Sequence, residues 1–534
     1  MNFLSHGNSL VRRVFQIPEE SSYLCLGNRP NPFKLVTKLA PEQSCDFLRA
    51  AQNSAMNTNS HHGSKIGRRD WLKAASLGGA ALITGSAVAP ASGQESEPHK
   101  PQARPVRGII FMVSDGMSPG VLTMAQNYSK LTRNRGTRWW SLLNDRKAAR
   151  GLMDTASANS LVTDSAAASS SWGGGQRVNN AVINVSPEGR EITPIHAILK
   201  KKGVSTGLVS TTSITDATPA GFGASVPNRS MEPEIAEQYL NRVDVILGGG
   251  ADSFSADKRK DGRDLVGDFK AAGYGHCTDR AGMLVSRDEK LLGLFAPGHL
   301  PFTVDRDQSE DLTRSVPTLT EMATAALSRF LEKGKPFLLQ VEGARIDHGA
   351  HTNDIAALIH DQLAFDDALA AMISQTTGHN DILIIVTSDH GNSNPGLRGM
   401  GDTYKESTPC FARIQQMKAS NERIFADWTN TAEKSPDNLR SLIQKHLGFM
   451  LKTEEAESFI EAFAKHPVVE WNDQLANSEG LLGQFAGNHT GIGWTGISHT
   501  SDPTLVSALG PQSDRFTGMV INSDVFGHFM DLLG

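Results

Sequence analysis

From Val106 onward the chain alternates short apolar runs with segments of helical periodicity. The runs are GIIFMV at 108–113, 205–210, VDVIL at 243–247, PFLLQV at 336–341, ILIIVT at 382–387 and 516–521; the helical patterns cover 194–202, 316–332 and 354–374. That alternation predicts an α/β fold with a largely parallel central sheet and helices on both faces. No tandem repeat interrupts it. The stretch 419–471 does, with polar helical patterns at 438–449 and 453–465 and no strand signal. A connection in an α/β domain runs to about two to six residues, so this stretch reads as a helical insertion or cap.

Length and composition narrow the class further. A chain of 534 residues with 39% hydrophobic and 20% charged residues can bury a large core, which excludes a disordered or an integral membrane protein. A net charge of -5 argues against nucleic acid as a partner. A small substrate is expected instead.

The N-terminal part is expected to lie outside the fold. GRRDWLK at 67–73 precedes a weakly apolar stretch at 74–89 and an A-P-A sequence, the pattern of a twin-arginine export signal. Cleavage after Ala91 would leave a mature chain starting near Ser92. Such signals begin close to the initiator, so Met56 is the expected start; 56–91 is then the signal peptide, and 1–55 a misassigned start or an extension. Cys25 and Cys45 fall in that segment, while Cys277 and Cys410 stay in the mature chain, paired or as buried thiols.

Ligands of open α/β sheets gather at the carboxyl ends of the strands, and three strand ends here finish in carboxylates. They are Ser114-Asp115-Gly116, Glu342 and Ser388-Asp389-His390-Gly391. Taken singly, the two Asp segments read as turns. Beside them, however, E-G-A-R-I-D-H-G-A-H at 342–351 packs Glu342, Asp347, His348 and His351 into one short segment, a density of oxygen and imidazole donors suited to several metal ions. A nucleophile candidate, Ser165, follows Asp164 at a predicted helix start, near the positive end of the helix dipole. Asp216-Ala217-Thr218 follows the strand at 205–210, and Arg229 lies beyond it, a guanidinium suited to clamping two oxygens of a tetrahedral anion.

With these motifs the chain resembles bacterial alkaline phosphatases through nearly the whole mature sequence. The resemblance is carried by S-D-G-M at 114–117, V-T-D-S-A-A at 162–167, D-A-T-P-A at 216–220 and L-G-G-G-A at 247–251. It continues with V-E-G-A-R-I-D-H-G-A-H at 341–351, T-S-D-H-G at 387–391 and H-T at 499–500. It implies hydrolysis of phosphate monoesters through a phosphoserine on Ser165, with Arg229 holding phosphate oxygens. Asp347, His351 and His499 would bind one zinc ion; Asp115, Asp389 and His390 a second. Asp115 would reach a third site, with Asp216, Thr218 and Glu342, for magnesium. His348 stands where some members carry a substrate-facing lysine. His499 is preferred to His489 because the segment after it, LVSALGP at 505–511, matches the one after the family's histidine. The resemblance also implies small phosphorylated substrates, release of phosphate outside the cytoplasm, no stable membrane insertion of the mature form, and a homodimer as one open assembly.

Within the superfamily the rival readings are a phosphodiesterase and a sulfatase. A sulfatase needs a C/S-x-P-x-R context that Ser165 lacks, and Arg229 suits a dianionic monoester better than a diester. A catalytically silent phosphate- or metal-binding protein is the alternative of another class.

Overall fold

The computed structural model describes residues 105–534, so the expected export signal and the segment before it lie outside the described residues. Ten strands form one sheet: β1 (Gly108–Ser114), β2 (Ala148–Met153), β3 (Ser205–Ser213), β4 (Val245–Gly249), β5 (Gly275–Cys277), β6 (Leu291–Leu294), β7 (Phe337–Gly343), β8 (Ile382–Thr387), β9 (Thr504–Leu509) and β10 (Gly518–Val520). Their order is β10-β2-β9-β8-β1-β7-β3-β4-β6-β5. All neighbours run parallel except β9, which is antiparallel to both β2 and β8.

Every residue of β1, β7 and β8 is buried, as their apolar runs require. Alternate residues of β1 feed the two faces. Ile110 and Met112 join the core under helices Leu319–Lys333 and Ile355–Gln375, while Ile109, Phe111 and Val113 join the opposite core. There the Phe111 ring meets Trp172 edge-on at 5.0 Å and stacks with Phe222 at 5.7 Å.

Several boundaries differ from the sequence expectation. The strand expected at 243–247 covers Val245–Gly249, and that expected at 516–521 shortens to Gly518–Val520 because Ser513–Phe516 is a 3-10 turn. The helix expected from 316 starts at Leu319, where Thr318 and Glu321 form a capping box. Strands β2, β5, β6 and β9 were not anticipated. The stretch 419–471 contains helices Asn421–Asn430, Pro436–Leu447 and Thr453–Phe463, whose Ile424, Trp428, Leu439 and Phe459 extend the core on the Ile110 side. Cys277 and Cys410 are separate buried thiols. Among the described residues no helix is long and apolar enough to cross a membrane.

Register decides what the sheet presents. Val113 of β1 lies opposite Glu342 on one side and Thr387 on the other, and Ser210 of β3 also pairs with Glu342. The carboxyl ends of β7, β1 and β8 therefore finish level, with β3 running on past Ser210 to Ser213 beside them, and their terminal residues converge.

Candidate active site

Ser165 is the first residue of helix α1 (Ser165–Gly174), capped by Asp164, whose side chain accepts the Ala167 N–H at 3.0 Å. Asp164 also accepts the Ala181 N–H at 2.9 Å, which ties the following loop to the cap. Ser165 is buried, and its Oγ lies 3.1 Å from His390 Nε2. The same nitrogen is 3.0 Å from Asp389 Oδ2 and 3.7 Å from Asp115 Oδ1. Asp389 Oδ1 accepts the backbone N–H of Gly116 at 3.0 Å and of His390 at 2.9 Å. Asp389 Oδ2 and Asp115 Oδ1, in contrast, are buried with no hydrogen-bond partner. Two lone-pair donors left open beside an imidazole nitrogen are what a cation site requires. Gly116 has φ +64, and a Cβ there would stand 2.2 Å from Asp347 Oδ1, so the turn tolerates only glycine.

Asp347 and His351 are one helical turn apart on α2 (Arg345–His351), which brings them to one face. His499 arrives from the other end of the chain. The two-residue strand His499–Thr500 pairs antiparallel with Gly391–Asn392, directly after Asp389 and His390. His351 Nε2 lies 3.2 Å from Asp347 Oδ2 and 3.0 Å from His499 Nε2. The Nδ1 of His351 donates to the Ile497 carbonyl at 2.8 Å, and that of His499 to the Thr163 carbonyl at 2.9 Å. In their neutral forms both rings aim Nε2 lone pairs at each other, an arrangement that a shared cation relieves; burial would lower the His351 pKa, but Asp347 raises it. His489, by comparison, sits in helix Ser478–Thr490 and stacks on Phe449 at 4.2 Å.

The remaining oxygen donors divide. Thr218 Oγ1 lies 3.5 Å from Asp115 Oδ2, and Glu342 accepts the Ser210 hydroxyl at 2.6 Å. Asp216, expected in the same set, turns its Oδ1 toward Arg229 Nη2 at 2.8 Å and shares a cluster with His299 and His348. Arg229 Nη1 lies 3.4 Å from Asp164 Oδ2, so the guanidinium bridges the Ser165 cap and Asp216. His348 Nδ1 accepts from Arg345 Nη1 at 2.6 Å.

Burial and crowding split the acids. Burial, then Asp389, Asp347 and Glu342, holds the Asp115 carboxyl well above its ordinary range. Burial pushes Glu342 up to about 8. Burial would also raise Asp347, yet His351, His499 and His390 hold it well below the usual carboxylate range. For Asp216 burial is outweighed by Arg229, His299 and His348, which bring it down to about 2. Burial and the neighbouring His390 bring His499 down to about 3, so the ring is neutral and able to bind a cation.

Sequence reasoning missed His299, Arg345 and Asn392. Asn392 donates to Asp347 Oδ1 at 2.7 Å and lies two residues past His390, where the strand-end rule could have found it; His299 lies in the loop after β6, a strand with no local signal of its own. Arg345 stands inside the 342–351 segment and was given no role.

A family model described as alkaline phosphatase matches residues 106–533. Alkaline phosphatase 3 of Bacillus subtilis is 30% identical over 459 residues, 84% of this chain and 93% of the relative. Streptomycin-6-phosphate phosphatase of Streptomyces griseus is 34% identical over 377 residues, 61% of this chain and 82% of the relative. The crystal structure of Thermus thermophilus alkaline phosphatase superposes with a TM-score of 0.76 at 33% identity, covering 84% of this chain and 96% of that one.

Proposed function

The chain belongs to the alkaline phosphatase family and is a phosphomonoesterase, and on that footing we propose that it works through a phosphoserine on Ser165 with two zinc ions and one magnesium ion. The observation that carries this reading is the Ser165 hydroxyl, 3.1 Å from His390 Nε2 beside the open oxygens of Asp115 and Asp389. Asp347, His351 and His499 would hold one zinc and Asp115, Asp389 and His390 the other, with magnesium held by Asp115, Thr218 and Glu342 and Asp216 alongside. When bound, these ions would supply Lewis-acid stabilisation of the attacking and leaving oxygens and positive charge beside the phosphoryl group.

The side chains do the rest. Helix α1 sets the Ser165 Oγ at its N-terminus, where the aligned backbone N–H groups favour developing negative charge. Arg229, steered by Asp164 and Asp216, presents two donors to nonbridging phosphoryl oxygens, and His348, clustered with Asp216, adds a third. Ser165 attacks phosphorus in line and the alcohol leaves; water then attacks the phosphoserine in line, releasing phosphate and restoring the hydroxyl. The substrates proposed are small phosphorylated metabolites, reached outside the cytoplasm after twin-arginine export. N-terminal sequencing of exported protein should begin near Ser92, and a mature chain retaining residues 1–55 would overturn the export reading.

Trapping with substrate at low pH followed by mass spectrometry should place phosphate on Ser165. Ser165→Ala should lose orders of magnitude in kcat while keeping its zinc. Phosphate found reproducibly on another residue would defeat the assignment.

A further inference from the structure

Three sets of side chains among the described residues bring three ligand-type atoms within 4.8 Å of one another. Two are the proposed zinc sets. The third, Asp216 with His299 and His348, has the composition of a cation site, yet its hydrogen bonds run the opposite way. At His351 and His499 each Nδ1 meets a backbone carbonyl, which only accepts, so the proton sits on Nδ1 and Nε2 keeps its lone pair. At His299 the Nδ1 accepts the Ser213 backbone N–H at 3.0 Å, and at His348 it accepts from the Arg345 guanidinium at 2.6 Å. An amide N–H and a guanidinium only donate. Both neutral rings therefore carry their proton on Nε2, and no lone pair is left for a metal whichever edge faces Asp216. This set offers donors to an anion.

We propose that Arg345 is a positioning residue for the phosphate site: it fixes His348 in the tautomer that presents Nε2–H beside the Asp216–Arg229 pair, and Glu422 of the helical insertion fixes Arg345. Arg345 and His348 are one turn apart on α2, so the guanidinium reaches the ring without distortion. The Arg345 side chain is 4% exposed, its guanidinium lies over the Phe302 ring at 3.7 Å, and its Nη2 is paired with Glu422. Glu422 occupies the first turn of helix Asn421–Asn430. That turn is bolted down by Asp305, which accepts the Ser420 N–H at 2.9 Å, and by Asp354, which accepts the Asn421 N–H at 2.6 Å. A chain of contacts thus runs from the insertion through Glu422, Arg345 and His348 to Asp216, whose carboxylate holds Arg229 at 2.8 Å.

The chemistry gives the chain its purpose. The dianion of a phosphate monoester accepts hydrogen bonds and donates none, and the charged oxygens of inorganic phosphate likewise only accept, so a ring that turned a lone pair toward them would repel them, whereas Nε2–H adds a charge-assisted bond. The inference rests on the reading that phosphate is held at Arg229. His299, locked by Ser213 rather than by Arg345, is the internal control.

The test uses the metal-loaded enzyme with Arg345→Met, Arg345→Lys and Glu422→Gln. Phosphate inhibition, KM and kcat would be measured with p-nitrophenyl phosphate, the metal content by elemental analysis, and the imidazole tautomers by 15N shifts of labelled histidine. In Arg345→Met, phosphate inhibition and KM should weaken about tenfold, the scale of one hydrogen bond to a charged group, with a smaller change in kcat and no loss of zinc. The His348 signals should leave the Nε2–H pattern while those of His299 stay. Arg345→Lys, which keeps a donor, should recover most of the binding, and Glu422→Gln should weaken it in the same direction by less. An unchanged His348 tautomer in Arg345→Met overturns the proposal. If that variant does not fold, an unchanged phosphate inhibition constant in Glu422→Gln overturns it, since Glu422 is 53% exposed and its replacement leaves the packing intact. A fourth metal ion per chain that disappears in His299→Ala overturns it too. The tautomers are read on free enzyme, so they decide this point even if Ser165 proves not to carry phosphate.

Discussion

Two of the regions that bury carboxylates in this molecule treat them oppositely. At the seam between the helical insertion and the sheet domain, and along the helix Ile355–Gln375 whose cap Asp354 joins that seam, the buried acids are closed by protein donors. Asp354 accepts the N–H groups of Ala357 at 3.0 Å and Asn421 at 2.6 Å, and Asp361 accepts the Thr303 N–H at 3.0 Å and its hydroxyl at 3.1 Å. At the strand ends, Asp115 Oδ1 and Asp389 Oδ2 have no such partner. The first pattern is architecture, in which polar groups hold one element to another. The second leaves lone pairs converging on a common point, which a folded protein keeps only where something positive is to bind.

The largest effect that would break this contrast is at His499. His499→Ala should lose zinc from the Asp347–His351–His499 set and most activity, because one imidazole in a three-residue ligand set has no substitute. His489→Ala, altering only a ring stacked on Phe449, should do little. Zinc stripped by His489→Ala alone would reverse the assignment of the two histidines. Asp115→Asn sharpens the contrast next. Removing one of several crowded carboxylates should raise the thermal midpoint of chelated protein, since Asp389, Asp347 and Glu342 all act against the Asp115 charge. The same change should lower the midpoint and the activity of metal-loaded protein. Loss of stability in both states would mean that Asp115 is structural.

The seam predicts a third behaviour, with the opposite dependence on pH from ordinary acid denaturation. Burial brings Asp361 up to about 7. Its folded pKa lies above the unfolded value of about 3.9, so the folded state binds the extra proton between the two. Its stabilising contribution is fully present below the lower value and lost as pH rises through about 7. Asp361→Asn keeps both bonds to Thr303, because the hydroxyl can turn from donor to acceptor. It should match the parent near pH 4 and exceed it at pH 8 by an amount on the order of 1–4 kcal/mol, read from denaturant midpoints. Equal stability at both pH values would show that Asp361 is ordinary in the folded state.

How much of this was legible in the sequence follows from the same contrast. Strands β1, β7 and β8 are buried on both faces, so their runs announce themselves, and the acids ending them mark the site. Strand β2 carries Arg150 and is partly exposed, and β5 has three residues; sheet neighbours, not local pattern, make them strands. Most of the proposed metal ligands lie in dense local motifs, which is why they could be named, whereas His499 stands in a bare H-T pair and was chosen by the segment that follows it. The Arg345–Glu422 pair spans 77 positions and joins the core to an insertion, so no local spacing reveals it. His299 was missed for a related reason, since one histidine in a P-G-H-L-P loop carries no signal until the fold brings it against His348 at 4.7 Å between ring centroids.

His348 belongs to both regions, held by Arg345 of the seam and facing Asp216 of the site, and it sets the smallest effect. Burial, then His299 and Arg345, holds its pKa well below the ordinary value, so the ring meets phosphate as a neutral donor. His348→Lys would replace that donor with an ammonium group, which attracts a dianion more strongly and delays its departure. The same ammonium would stand beside Arg345, and that like-charge contact opposes the gain. The expected outcome is a tightening of phosphate inhibition by about two- to fivefold, under 1 kcal/mol, with a lower kcat at alkaline pH where product release limits turnover. Phosphate inhibition constants and single-turnover rates of parent and variant separate release from chemistry. If inhibition and turnover both match the parent, His348 does not face the phosphate, and the ring belongs to the seam alone.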